Sequence, residues 1–94
     1  MTTEIKNVIN ELSNLFPNYK FSKEDVTYTA EAIIKIRCKP GTEDLAYYAG
    51  DDYGYCVLGS TFYDIQNYIK SAFPNYKVID FINSKRTGHF ELHR

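Results

Sequence analysis

Two stretches of this chain set apolar residues at helical spacing and then end on the same five residues, Phe-Pro-Asn-Tyr-Lys. In the first, Ile5, Val8, Ile9, Leu12, Leu15 and Phe16 fall on one face of residues 4–16, with Thr3 available as a cap and Pro17 closing the segment. In the second, Phe62, Ile65, Ile69, Ala72 and Phe73 share a face behind Gly59 and the caps Ser60 or Thr61, and Pro74 ends it. Proline cannot continue a helix, so the chain must hold two amphipathic helices, each followed by a sharp change of direction. The apolar positions match at the same separation of 57 residues: Ile5 with Phe62, Val8 with Ile65, Leu12 with Ile69.

A duplicated unit would also keep the inward face of its later strands. In residues 27–39 the even positions Tyr28, Ala30, Ala32, Ile34, Ile36 and Cys38 alternate with polar residues, as in a half-buried strand. A gapless repeat sets Glu91 on Ile34 and His93 on Ile36, which breaks that face. The repeated run therefore reads as punctuation used twice: an apolar helix end, a stop, an Asn turn and a Tyr that opens a strand.

The remaining segments alternate between strand and turn. Lys39-Pro40-Gly41-Thr42 has the residues of a tight turn, with proline supplying a fixed φ and glycine a positive one. Residues 44–49 and 53–58 read as a hairpin around Gly50-Asp51-Asp52; Tyr76 to Ile82 and His89 to His93 read as strands around a turn at 83–88. The order α-β-β-(β-β)-α-β-β predicts an α+β two-layer sandwich, with both helices on one face of a mostly antiparallel sheet. At 94 residues and 10.9 kDa, residues 1–94 form a single domain with enough chain for one core. The apolar runs are too short to span a bilayer, and residues 1–12 lack a secretory pattern, so a cytoplasmic location is expected. Two cysteines, Cys38 and Cys56, fit that compartment as small apolar strand residues; a cross-strand disulfide stays open and a reducing environment weighs against it.

Little catalytic chemistry survives inspection. No nucleophile elbow, phosphate-cradling glycine loop, zincin helix or dinucleotide fingerprint occurs. Asp51 and Asp52 beside Tyr48 or Tyr53 read as solvated turn acids rather than as an acid-base pair, and the alternation of a calcium loop is missing. Cys38, Cys56, His89 and His93 are poor zinc ligands, because the cysteines are far apart and histidines four apart on a strand lie about 13 Å from one another. No cofactor or metal is expected, and the protein reads as a non-enzyme.

Charge is more informative. Residues 1–39 carry six cations and five acids, residues 40–69 carry five acids and no Lys, Arg or His, and residues 70–94 carry five cations and two acids. The central stretch also holds six of the nine tyrosines. Acid beside amphipathic aromatic rings suits contact with a basic protein surface, since tyrosine buries a rigid ring at low entropic cost and the acids steer and orient. The expected partner-binding set is Glu43, Asp44, Tyr47, Tyr48, Asp51, Asp52, Tyr53 and Tyr55. Proteins that handle nucleic acid carry such basic grooves, which an acidic, aromatic small protein would occupy and block. In size, compartment and charge the chain is similar to toxin-neutralising immunity proteins and to phage-encoded inhibitors of host defence, some anti-CRISPR proteins among them; the likeness is generic and rests on no motif. Self-association is the simplest alternative partner, through an edge strand such as 89–93 or 53–58.

Nucleic acid is the competing partner. The order helix, three strands, helix over residues 4–73 resembles the layout of double-stranded RNA-binding domains, which open their second helix with a basic cluster. This chain opens its own with Ser60-Thr61-Phe62-Tyr63-Asp64. The alternative nucleic-acid set is Lys77, Lys85, Arg86 and Arg94, with Tyr76 or Phe90 as stacking partners.

Overall fold

Both helices form where the apolar spacing places them, and both are closed in the same way. In the computed structural model α1 spans Thr2–Leu15 and α2 spans Ser60–Ala72. The Phe16 amide donates to Leu12 O at 2.8 Å and the Phe73 amide to Ile69 O at 3.0 Å, the last helical bond in each case. Proline then ends each ladder, and the next tyrosine amide turns back, Tyr19 to Phe16 O and Tyr76 to Phe73 O, each at 3.1 Å. Helix α1 already includes Thr3, and the cap of α2 is Gly59 with no side-chain cap bond, so none of the expected hydroxyl caps is used at α2. Ala72, expected on the apolar face, is exposed.

The structure describes residues 2–24, 30–49 and 55–94, with residues 2, 3, 48, 49, 55 and 56 described by their backbone. Asp51, Asp52 and Tyr53, the side chains of Tyr48, Tyr55 and Cys56, and positions 27–29 of the expected long strand lie outside the described residues.

Six strands follow the expected order: β1 Tyr19–Glu24, β2 Ala32–Cys38, β3 Ala46–Ala49, β4 Tyr55–Leu58, β5 Lys77–Ser84 and β6 Thr87–His93. Four of them make an antiparallel sheet in the order β1-β2-β6-β5, and β3-β4 is a separate two-stranded ribbon. The fold is a two-layer α+β arrangement. Ile5, Leu12, Phe62, Ile65 and Ile69 meet Phe21, Ala32, Ile34, Ile36, Phe90 and Leu92 in one core, where Phe62 and Phe90 stack at 5.1 Å. Ile33 is buried as well, on the opposite face of β2. Among the described residues no helix is long and apolar enough to cross a membrane.

Strand 89–93 is not an edge. β6 is bonded to β2 on one side and β5 on the other, so its backbone groups are spent inside the sheet, and β1 and β5 are the edges. This removes one of the two expected routes to self-association.

The registers also revise the reading of the repeat. Lys20 pairs with Arg37, and 57 residues after Lys20, Lys77 pairs with His93, which lies only 56 after Arg37. With that one-residue offset Ile36 corresponds to Leu92 and Ile34 to Phe90, all inward. From matched paired positions the path through the β5-β6 hairpin is one residue shorter than that through the β1-β2 hairpin, 16 against 17 positions, and a strand that gains or loses one residue flips every side chain in a gapless alignment. Helix α1 lies on β1 as α2 lies on β5. The scaffold is thus two α-β-β units related by a pseudo-two-fold between β2 and β6, and the β3-β4 ribbon is inserted between them.

Gly88 stands at the centre of this pairing, opposite Ile36 on one side and Ile82 on the other. A Cβ there would lie 2.7 Å from Phe81 O, a backbone atom that cannot move without the strand. Gly41 has φ +82° and open space around it, so alanine there meets only backbone strain. We expect Gly88→Ala to destabilise by about 2 kcal/mol through overpacking, against about 1 kcal/mol for Gly41→Ala. Urea midpoints decide, and equal or reversed effects would contradict this packing.

Candidate functional site

The acidic ribbon leaves the sheet through the turn that the sequence predicts. Thr42 N donates to Lys39 O at 3.2 Å across Pro40 and Gly41, and the positive φ of Gly41 completes the reversal. The chain then enters a tightly held root. Leu45 N donates to Lys85 O at 2.7 Å and Gly59 N to Leu45 O at 2.8 Å, with Leu45 and Ala46 buried. Glycine suits position 59, since an added Cβ would press on Asp44 O and Leu45 O at 3.3 Å.

The root directs the acids differently. Glu43 turns its carbonyl inward, where it accepts from Cys38 Sγ at 3.3 Å and Tyr19 Oη at 3.4 Å, and its side chain stays at the surface. Burial pushes the Cys38 thiol above its ordinary range, with Arg86 acting against it, so this free cysteine is a poor nucleophile. Burial likewise raises the Tyr19 phenol, helped by Cys38 and opposed by a hydrogen bond from Thr61. Asp44 is engaged: its Oδ1 accepts from Arg86 Nη1 at 2.7 Å. The same guanidinium donates to Lys39 O at 2.7 Å, Thr42 O at 3.0 Å and Thr42 Oγ1 at 3.3 Å.

Tyr47 and Val57 sit opposite each other across β3 and β4 with exposures of 49% and 50%. Leu15, Pro17, Glu43 and Thr61 line a neighbouring concavity of about 350 Å³. Of the predicted partner-binding residues, Glu43 and Tyr47 are presented outward, Asp44 serves the root, and the side chains of Tyr48, Asp51, Asp52, Tyr53 and Tyr55 lie outside the described residues.

The four predicted basic residues are not gathered on one surface. Arg86 faces the Lys39–Asp44 turn. Arg94 lies over the Tyr76 ring at 5.3 Å, donates to its hydroxyl and pairs with Glu31 at 3.5 Å. Lys85 gives its carbonyl to Leu45, and Lys77 starts β5 opposite His93. Phe90 is fully buried against Phe62 and so is closed to a base, whereas Phe81 on β5 is 39% exposed and stacks on His89 at 4.6 Å.

His89 and His93 occupy the uncovered face of β6, and each contacts Glu91, at 3.3 and 2.9 Å. Among the described residues no group of three or more His, Cys, Asp or Glu assembles as a metal site. The hydrogen bond with His93 holds the Glu91 carboxyl below its ordinary range; burial opposes this and His89 adds to it.

What sequence reasoning missed is the rest of this uncovered face. Lys20, Lys35 and Arg37 come together there from β1 and β2, and strand alternation placed the last two outward without showing which strands lie beside them. No family model matches the chain, and no curated protein or solved structure matches it.

Two outcomes follow from these contacts. Arg86→Ala is expected to cost about 2 kcal/mol, since it strips several charge-assisted bonds from one turn; Arg86→Lys, which keeps the charge and loses the fork, is expected to recover less than half of that. Recovery in full, by denaturant titration, would reduce the clasp to a simple ion pair. Because Glu91 is depressed in the folded state, its stabilisation is complete above the unfolded value of about 4.3 and is lost as pH falls through the lower folded value. Glu91→Gln should therefore flatten the acid limb of the stability profile below about pH 4.5, and superimposable acid limbs would contradict the assignment.

Proposed function

We propose that this protein is a small non-catalytic protein-binding module that offers its acidic, tyrosine-bearing ribbon to a basic surface, inhibiting a protein that handles nucleic acid. One observation carries the reading: the Tyr47–Val57 pair is half exposed on a ribbon that belongs to neither half of the repeated scaffold. Residues needed for the core lie at the root, in Leu45 and Ala46, so the outward pair has no packing duty that would explain it. A half-exposed tyrosine on a braced element is the kind of rigid amphipathic anchor that interfaces concentrate. Glu43 beside it supplies the sign of charge that meets a cationic partner. The immunity-protein and phage-inhibitor likeness belongs to this proposal, as does a cytoplasmic site of action. The basic carboxyl-terminal hairpin is the weaker alternative, because Arg86 and Arg94 are already committed within the molecule.

The test is affinity capture from host-cell lysate, nuclease-treated and untreated, at low and moderate salt. Wild type is run beside Glu43→Lys/Tyr47→Ala, whose exposed positions should change stability by no more than about 1 kcal/mol. A protein captured by wild type in both nuclease arms and depleted at least tenfold by the variant is expected. Equal capture of every protein by the variant would sink the reading.

A further inference from the structure

On the sheet face turned away from the helices the side chains fall in cross-strand rows, two of which hold the cations. One row runs Lys20, Arg37, Thr87; the next runs Ser22, Lys35, His89, Phe81. Between them lies a concavity of about 410 Å³ that reaches all four strands, lined by Lys20, Ser22, Lys35, Arg37, Asn83 and Thr87 through their outward positions. Three of these are cations and none is an acid. Asn83 continues the lining to the aromatic pair, since its Nδ2 lies 3.0 Å from His89 Nδ1, and His89 stacks on the exposed ring of Phe81 with planes 10° apart.

We infer that this face binds single-stranded nucleic acid, with phosphates held by Lys20, Lys35 and Arg37 and a base stacked on Phe81. Lys35 and Phe81 stand in one row two strands apart, about 10 Å between backbones, with His89 between them stacked on the ring face nearer Lys35, so the base takes the outer face of Phe81 at the sheet edge. Cations that track a backbone beside a flat aromatic platform are the two elements of sequence-tolerant single-strand binding. A free phosphate leaves Phe81 without a role, and so does a peptide that offers carboxylates alone. Glu91 and Glu24 belong to the following row, where Glu91 is met by His89 and His93, so they bound the site on one side rather than enter it. The site uses residues of both halves of the repeat and neither Arg86 nor the acidic ribbon, so it stands or falls apart from the inhibitor reading.

Fluorescence anisotropy with labelled oligo-dT and oligo-U of about twelve nucleotides, titrated across salt, tests it. Lys35→Glu/Arg37→Glu should weaken binding more than tenfold and lower the salt slope by about 1.4, near 0.7 per lost cation. Phe81→Leu should weaken it roughly tenfold at unchanged slope, while Phe81→Tyr retains affinity. Lys6→Glu/Lys70→Glu, which places the same charge change on the helices, should leave affinity within about threefold of wild type after allowance for net charge. The inference is overturned if oligonucleotides do not bind at low salt, or if Phe81→Leu matches wild type. Equal competition by polyglutamate overturns it as well. So does self-association of the free protein that Lys35→Glu/Arg37→Glu abolishes, which would assign the face to a second copy.

Discussion

The guanidinium of Arg86 donates to two backbone carbonyls, a hydroxyl and a carboxylate that all belong to the segment Lys39–Asp44. The ion pair with Asp44 is partly exposed, and such a pair alone is worth about 0–1 kcal/mol. The carbonyls decide the matter. A planar fork with five donors satisfies several acceptors of one turn at fixed angles, which a point charge cannot do. The turn is therefore held in a single shape, and it sets the direction in which the ribbon leaves β2. Two main-chain bonds next to the clasp, Cys38 N to Arg86 O and Leu45 N to Lys85 O, join the same two segments. The course of the chain from Glu43 into β3 depends on this junction.

The junction matters because the ribbon has little else to stand on. The α-β-β units complete each other: β2 and β6 pair at the centre, and each helix covers its own outer strand. Of the described side chains in residues 46–58, Ala46 is buried and Leu58 packs half-buried against the core. A two-stranded ribbon by itself is marginal in water. Fixing it at the root by Arg86 and by burial of Leu45 lets its outer side carry Tyr47 and Val57 in the open without collapsing onto the core.

Helices and strands were legible to the extent that each is decided locally. The two Phe-Pro-Asn-Tyr-Lys runs produce the same pair of hydrogen bonds twice, because proline and the adjacent turn act within a few residues. Register is a long-range property, and there the reading faltered. The one-residue difference between the two hairpin connections was invisible, so Glu91 fell on Ile34 and a true structural repeat was read as punctuation. The edge assignment of residues 89–93 fails for the same reason: nothing local shows that His89 to His93 is central while Lys77 to Ser84 is an edge. Of the candidate site, Tyr47 and Glu43 are exposed. The engagement of Asp44 by Arg86, residues 42 apart in sequence, did not show in a count of local charges.

That ion pair also stands between two concavities with different linings. Arg86 adjoins Thr87, which lines the cationic concavity, and Asp44 adjoins Glu43, which lines the concavity beside the ribbon. The pair thus stands on the border, and each member is neutralised by the other where the two fields would otherwise overlap. Charges within a Debye length of about 8 Å act on one another in solution, so an unpaired Arg86 would weaken the acidity around Glu43, and an unpaired Asp44 would draw on the cations of the sheet. By closing on each other they leave Lys20, Lys35 and Arg37 on one side and Glu43 on the other.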